Sequence, residues 1–201
     1  MRRIFWIGMV VVVIAGLGVV ALRLAPALTD SATPSWYSRT VYPLEHGAAI
    51  RAAARKNHVD PALVAAVIYV ESGFDEHARS AQGAVGLMQV LPATAQEIAR
   101  RTGGSAFSTG DLEDPRVNVR YGTYYLRTVL DQFDGDTLSA VAAYNAGGGA
   151  VGEWTAAAEA EGRPLRAADI PYAETRAYVS EVLRVRKLYR ENYDEQLTAP
   201  L

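Results

Sequence analysis

Apolar positions fall in blocks of helical length along this chain, and no stretch of useful length alternates with the two-residue period of a half-buried strand. The first block, Ile4 to Leu22, is 19 residues without a charge. At a helical rise it covers roughly 28 Å, close to the hydrocarbon thickness of a bilayer. Being apolar all round, it suits a membrane span better than a core helix. Thr29 to Thr40 (TDSATPSWYSRT) is polar around Pro34 and predicts a short linker. Its Trp36 and Tyr37 suit either a membrane interface or packing on a domain.

After the linker the pattern predicts a series of helices. Leu44 to Asn57 places Ile50, Ala53 and Ala54 inward and Arg51, Arg55 and Lys56 outward. Asp60-Pro61 is a helix start, with aspartate as N-cap and proline at the first helical position. The helix that follows carries Leu63, Val64, Val67, Ile68 and Tyr69 almost around its circumference, which predicts a place at the domain centre, and Glu71 falls at its C-terminal end. Pro92 opens a helix that ends near Gly103-Gly104, and Ser105 to Pro115 reads as a loop. Asn118 to Phe133 is a helix with Tyr121, Tyr125, Val129 and Phe133 on one face. Asp136 caps a helix from Thr137 to Tyr144, broken by Asn145 to Gly149, where consecutive glycines predict a mobile rim. Val151 to Ala160 is a short helix, Gly162 to Pro171 a loop, and Thr175 to Tyr189 the last helix. A small β element is allowed around Gly83 to Met88. The fold class expected is mainly α.

Charge and composition narrow the partners. The net charge is −2; the first forty residues carry Arg2, Arg3, Arg23, Arg39 and Asp30, so the remainder is at −5. A mildly acidic domain without a basic run is a poor binder of nucleic acid. There are no cysteines, which excludes disulfides and thiolate catalysis. His46, His58 and His77 lie in no metal-ligand spacing, so no metal site is expected. Arg2 and Arg3 before the apolar run favour a cytoplasmic N-terminus and an exported remainder. Ala25-Pro26-Ala27 offers small residues for a signal-peptide cut, but the run is longer than a usual signal core, which favours a retained anchor.

The chemistry centres on Ala62 to Pro92. An apolar run ends in one carboxylate, Glu71, followed by Ser72-Gly73 and a second apolar patch from Val85 to Leu91. Desolvation disfavours the charged form, so this setting keeps an acid protonated near neutral pH. Gly86 allows close backbone approach, and Gln89 offers donor and acceptor between apolar neighbours. Met88 suits a core gap as well as a substrate contact.

Four motifs stand in order: Glu71-Ser72-Gly73; Gly86-Leu-Met-Gln89 with Pro92 and Thr94; Ala143-Tyr-Asn-Ala-Gly147; and Tyr172-Ala-Glu-Thr-Arg-Ala-Tyr-Val179. Together they resemble the lytic transglycosylase domain of the soluble lytic transglycosylase type, glycoside hydrolase family 23, over roughly Leu44 to Tyr193. The resemblance implies a lysozyme-like, mainly α domain that cleaves the β-1,4 bond between N-acetylmuramic acid and N-acetylglucosamine in peptidoglycan, without water and without a cofactor. It implies Glu71 as acid and then base, with no second catalytic carboxylate among Asp75, Glu76, Asp111, Glu113, Asp114 and Glu174. It implies substrate-groove roles for Ser80, Met88, Gln89, Tyr144, Asn145, Glu174 and Tyr172, with Tyr178 and Arg176 lining or buttressing the groove. Turn, helix-end and helix-start roles remain open beside these for Ser80, Asn145 and Glu174. The organisation expected is an anchor or uncleaved signal at 1–24, a linker at 25–40, the catalytic domain at 41–195 and a tail at 196–201. The expected partners are peptidoglycan glycan strands and the cytoplasmic membrane, with the domain on its outer side. A hydrolytic lysozyme of the same fold and a non-catalytic wall-binding scaffold are the alternatives.

Overall fold

The computed structural model describes residues 35–104 and 107–200. The expected anchor at 1–24, and most of the expected linker, lie outside the described residues. Among those described, no helix is long and apolar enough to cross a membrane. The chain divides into two compact units, Met1–Val41 and Tyr42–Leu201. Of the first unit the described part is one helix, α1, Ser35–Val41. The polar composition of this stretch reads as linker, yet Pro34 is its last helix breaker.

The second unit holds α2 (Gly47–Asn57), α3 (Pro61–Ser72), α4 (Pro92–Thr102), α5 (Pro115–Gln132), α6 (Thr137–Ala146), α7 (Gly148–Ala160) and α8 (Ala173–Thr198), with 3-10 turns at Thr109–Glu113 and Ala167–Asp169. The core helix is α3, buried from Ala62 to Tyr69. Its sequence has no polar face, so neighbours surround it: α8 packs along it and α2 flanks it, while α5 backs α2 and α6 joins α5, α7 and α8. Its start is as the sequence predicts. Pro61 opens it, and the Asp60 carboxylate accepts from the Ala62 N–H at 3.0 Å. The other Asp60 oxygen accepts from Arg186 Nε at 2.6 Å and also meets Arg190, both on α8. One aspartate thus caps the central helix and ties it to the last one.

Helix α8 runs nine residues past the expected end at Tyr189, with a break in helical geometry at Tyr193 (φ −135°, ψ 16°). Its extra length is held by contacts invisible in a charge-rich sequence. The Tyr189 hydroxyl donates to the Pro43 carbonyl at 2.8 Å and that of Tyr193 to the Tyr42 carbonyl at 2.9 Å, and Leu197 is buried. The glycine run after α6 is not an open rim. Gly147 takes φ 87° between two helices, and Gly148 and Gly149 form the first turn of α7, with the Gly148 carbonyl accepting from Gln132. The expected β element is reduced to isolated bridges, Arg79 with Val85 and Val85 with Val90.

Candidate active site

Glu71 sits in the last turn of α3, which ends where Gly73 adopts φ 62°. The neighbouring Ser72 hydroxyl bonds the carbonyls of Ile68 at 3.1 Å and Leu87 at 2.9 Å, so the helix end is fastened to the turn at Gly86–Gln89. That turn is built on a buried clasp. Asn118, on α5 and fully buried, donates to the carbonyls of Val85 (2.7 Å) and Leu112 (2.9 Å) and accepts from the Met88 N–H (2.9 Å). Gly86 lies so close that a Cβ on it would stand 2.4 Å from Asn118 Nδ2, and its φ of 73° is one that side-chain-bearing residues avoid.

The turn then separates its two named residues. Met88 has no exposed surface, and its side chain packs on Gly122, where a Cβ would come within 2.5 Å of the sulfur. The side chain is therefore core, and the expected substrate contact through it is corrected: the α5 backbone at Gly122 draws it inward. Gln89 is half-buried in a left-handed conformation (φ 46°), with Nε2 donating at 3.0 Å to the carbonyls of both Ala78 and Gly86. Its carbonyl oxygen is left over. Ser80 organises the preceding turn by accepting the Ala84 N–H at 3.1 Å, which leaves its hydroxyl proton available.

Two tyrosines converge here from different helices. Tyr178 of α8 donates to Glu71 Oε1 at 2.7 Å. Tyr144 of α6 donates to the Met88 carbonyl at 2.9 Å, its ring 5.2 Å from that of Tyr125. Burial pushes the Glu71 pKa up to about 7, opposed by the Tyr178 hydrogen bond, which favours the ionised form. Burial, and then the charge on Glu71, push both tyrosines well above the ordinary phenol value, so they remain donors.

The other expected residues follow α8 away from Glu71. Asn145 is exposed at the end of α6, and its Oδ1 accepts from Thr175 at 2.8 Å, leaving its NH₂ for another partner. Glu174 is exposed in the first turn of α8. Tyr172, just before α8, is 57% exposed, and its ring stands edge-to-face on Trp154 with centroids 5.4 Å apart. The remaining carboxylates are engaged elsewhere. Asp75 accepts from the His77 N–H, Glu76 lies by His46 and His77, Asp111 and Asp114 cap the helices they precede or begin, and Glu113 pairs with Arg79. Sequence reasoning missed Asn118, Thr175 and Trp154, and named Tyr178 only as lining or buttressing the groove. Asn118 had a signal: a polar residue between Val117 and Val119 on a face that must pack.

Residues 48–165 match the family model described as the Transglycosylase SLT domain. The soluble lytic murein transglycosylase of Escherichia coli K12 is 33% identical over 153 residues, 74% of this chain and 23% of that protein. The membrane-bound lytic murein transglycosylase C of Haemophilus influenzae PittGG is 38% identical over 111 residues, 51% of this chain and 31% of that one. Among solved structures, an inactive mutant of the lytic transglycosylase Slt from Pseudomonas aeruginosa superposes with a TM-score of 0.69 at 36% identity, over 76% of this chain and 25% of that chain. The 70 kDa soluble lytic transglycosylase of E. coli gives 0.71 at 32% identity over 77% and 25%. The chain thus spans about a quarter of the length of these soluble relatives. The likeness extends from the motifs to the helical, lysozyme-like fold that presents them, and the chain belongs to the transglycosylase SLT domain family.

Proposed function

We propose that this protein is a peptidoglycan lytic transglycosylase with Glu71 as its single acid and base. The observation that carries the reading is the largely buried Glu71 carboxyl, raised to about 7 and bonded by Tyr178. At neutral pH such a group is populated in both protonation states, as one residue needs when it first gives and later takes a proton. Protonated Glu71 donates to the glycosidic oxygen as the C1–O bond breaks. The substrate's own N-acetyl carbonyl attacks C1. The carboxylate then accepts the proton of the muramic acid C6 hydroxyl, whose oxygen closes on C1 and expels the acetamido group to give a 1,6-anhydro end. The Tyr178 hydrogen bond stabilises the carboxylate between the two transfers. The engagement of Asp75, Glu76, Asp111, Glu113 and Asp114 elsewhere supports one carboxylate over a pair, the arrangement common in hydrolytic glycosidases.

Other groups have hydrogen-bonding capacity left for sugar amides and hydroxyls: the Ser80 hydroxyl proton, the Gln89 carbonyl and the Asn145 NH₂. Tyr144 fixes the Met88 carbonyl and walls the site near Glu71, where it can orient the N-acetyl group. Glu174 and Tyr172 would bind further along the strand. The names of the relatives, lytic murein transglycosylases, support the substrate class.

For the rest of the chain the proposal follows the sequence. Ile4–Leu22 behind Arg2 and Arg3 would tether the domain to the outer side of the cytoplasmic membrane. On this reading, full-length protein stays with membranes through a carbonate wash. Release into the soluble fraction would overturn the tether. The reaction is tested by mass analysis of products from full-length protein and peptidoglycan. Fragments ending in 1,6-anhydro-muramic acid are expected. Reducing ends carrying an added water would make it a lysozyme, and tight wall binding without turnover a scaffold.

A further inference from the structure

The contacts of α8 form a series leading away from the carboxylate. Tyr178 bonds Glu71, Thr175 bonds Asn145, and Tyr172 packs on Trp154. Each step is three residues, so Tyr172 lies about 9 Å along the helix axis from the level of Tyr178. That distance is of the order of a disaccharide.

Tyr172 is unusual for what it leaves open. Among residues 38–104 and 107–200, Leu91 and Tyr172 are the exposed large hydrophobic side chains, and at 57% Tyr172 shows the larger fraction. It is nonetheless held in place. Trp154 of α7 meets it at an interplanar angle of 78°, Ile170 just before it is buried, and Arg176 donates to the Ile170 carbonyl. Neither the Tyr172 hydroxyl nor the Trp154 indole N–H has a hydrogen-bond partner among the described residues. A fixed aromatic face with two free polar edges suits a pyranose ring, whose C–H face stacks while its hydroxyls bond at the rim.

We propose that Trp154 and Tyr172 form a stacking platform for a sugar ring about one disaccharide from the bond cleaved at Glu71, so that the protein discriminates by glycan length. The proposal rests on the glycan reading above. In full-length protein, Tyr172→Ala and Trp154→Ala are expected to lower kcat/KM on long glycan strands by about three- to tenfold through KM. The loss on the shortest oligosaccharide that is cleaved should be several-fold smaller. Tyr172→Phe keeps the ring and should keep most of the preference for length. Should Trp154→Ala fail to fold by circular dichroism, Tyr172→Ala alone decides, because its ring is mostly in solvent. Equal losses at both lengths, or none, would overturn the platform while leaving Glu71 catalysis intact. If the parent protein neither binds nor cleaves any glycan, it is the glycan reading that falls.

Discussion

At the scale of single residues, Glu71 combines an unfavourable place with a useful one. Its folded pKa of about 7 lies above the ordinary 4.5, so the folded state holds a proton that the unfolded state has released between those values. Stability therefore falls as pH rises from 4.5 through 7, by about 3 kcal/mol in all. Glu71→Gln removes this penalty. It is expected to raise the melting temperature at pH 8 but hardly at pH 4, and to cut turnover by about 10²–10⁴-fold. An unchanged difference between the two pH values in thermal melts would show that Glu71 does not carry the titration. Tyr178→Phe removes the bond that favours the carboxylate, so the Glu71 pKa should rise. The alkaline limb of the pH–rate profile, where the acid is lost, should move up by about half to one pH unit. A limb that stays in place or moves down would place its origin in another group.

At the scale of elements, the turn from Gly86 to Gln89 depends on one side chain of another helix. Asn118→Ala leaves the Met88 N–H and the carbonyls of Val85 and Leu112 without that partner in the interior, and is expected to cost about 2–4 kcal/mol in denaturant unfolding. It should also impair activity, since Ser72 and Tyr144 are both bonded to this turn. Gly86→Ala should be as damaging, through its positive φ and the Asn118 contact; a variant as stable as the parent would mean that the turn relaxes freely. These dependencies mark where the sequence ceases to be legible. Asp60-Pro61, Pro92, Asp136 and the apolar girth of α3 announce themselves by local chemistry. So does Glu71, because a lone carboxylate that closes a buried run stands out against its apolar neighbours. The side of Met88 that wins is decided thirty-four residues away, at Gly122, and no local pattern can report it. The tail of α8 is similar: its charges hide the buried Tyr193 and Leu197, and the partner of Tyr193, the Tyr42 carbonyl, lies far off in sequence.

At the scale of the molecule, three helices supply the site: α3 gives the carboxyl, α8 the hydroxyl bonded to it, and α6 the tyrosine beside it. Helices α3 and α8 are held in register at both ends, by Asp60 with Arg186 and Arg190 at one end of α3 and by Tyr178 at the other. Asp60→Ala should therefore reach beyond stability, which drops by about 1–2 kcal/mol with the cap. It should also lower the Glu71 pKa, read by carboxyl NMR titration, as water gains access between α3 and α8; an unmoved titration would show that the two ends are uncoupled. The burial of Glu71 between these helices has a further consequence. A carboxyl that keeps its proton near neutral pH exists only while that burial holds. In a chain not yet folded, or one beginning to come apart, Glu71 is an ordinary surface acid, ionised at neutral pH. On the proposed function, the catalytic acid is therefore gained on completing the fold and lost with it, without a separate safety catch.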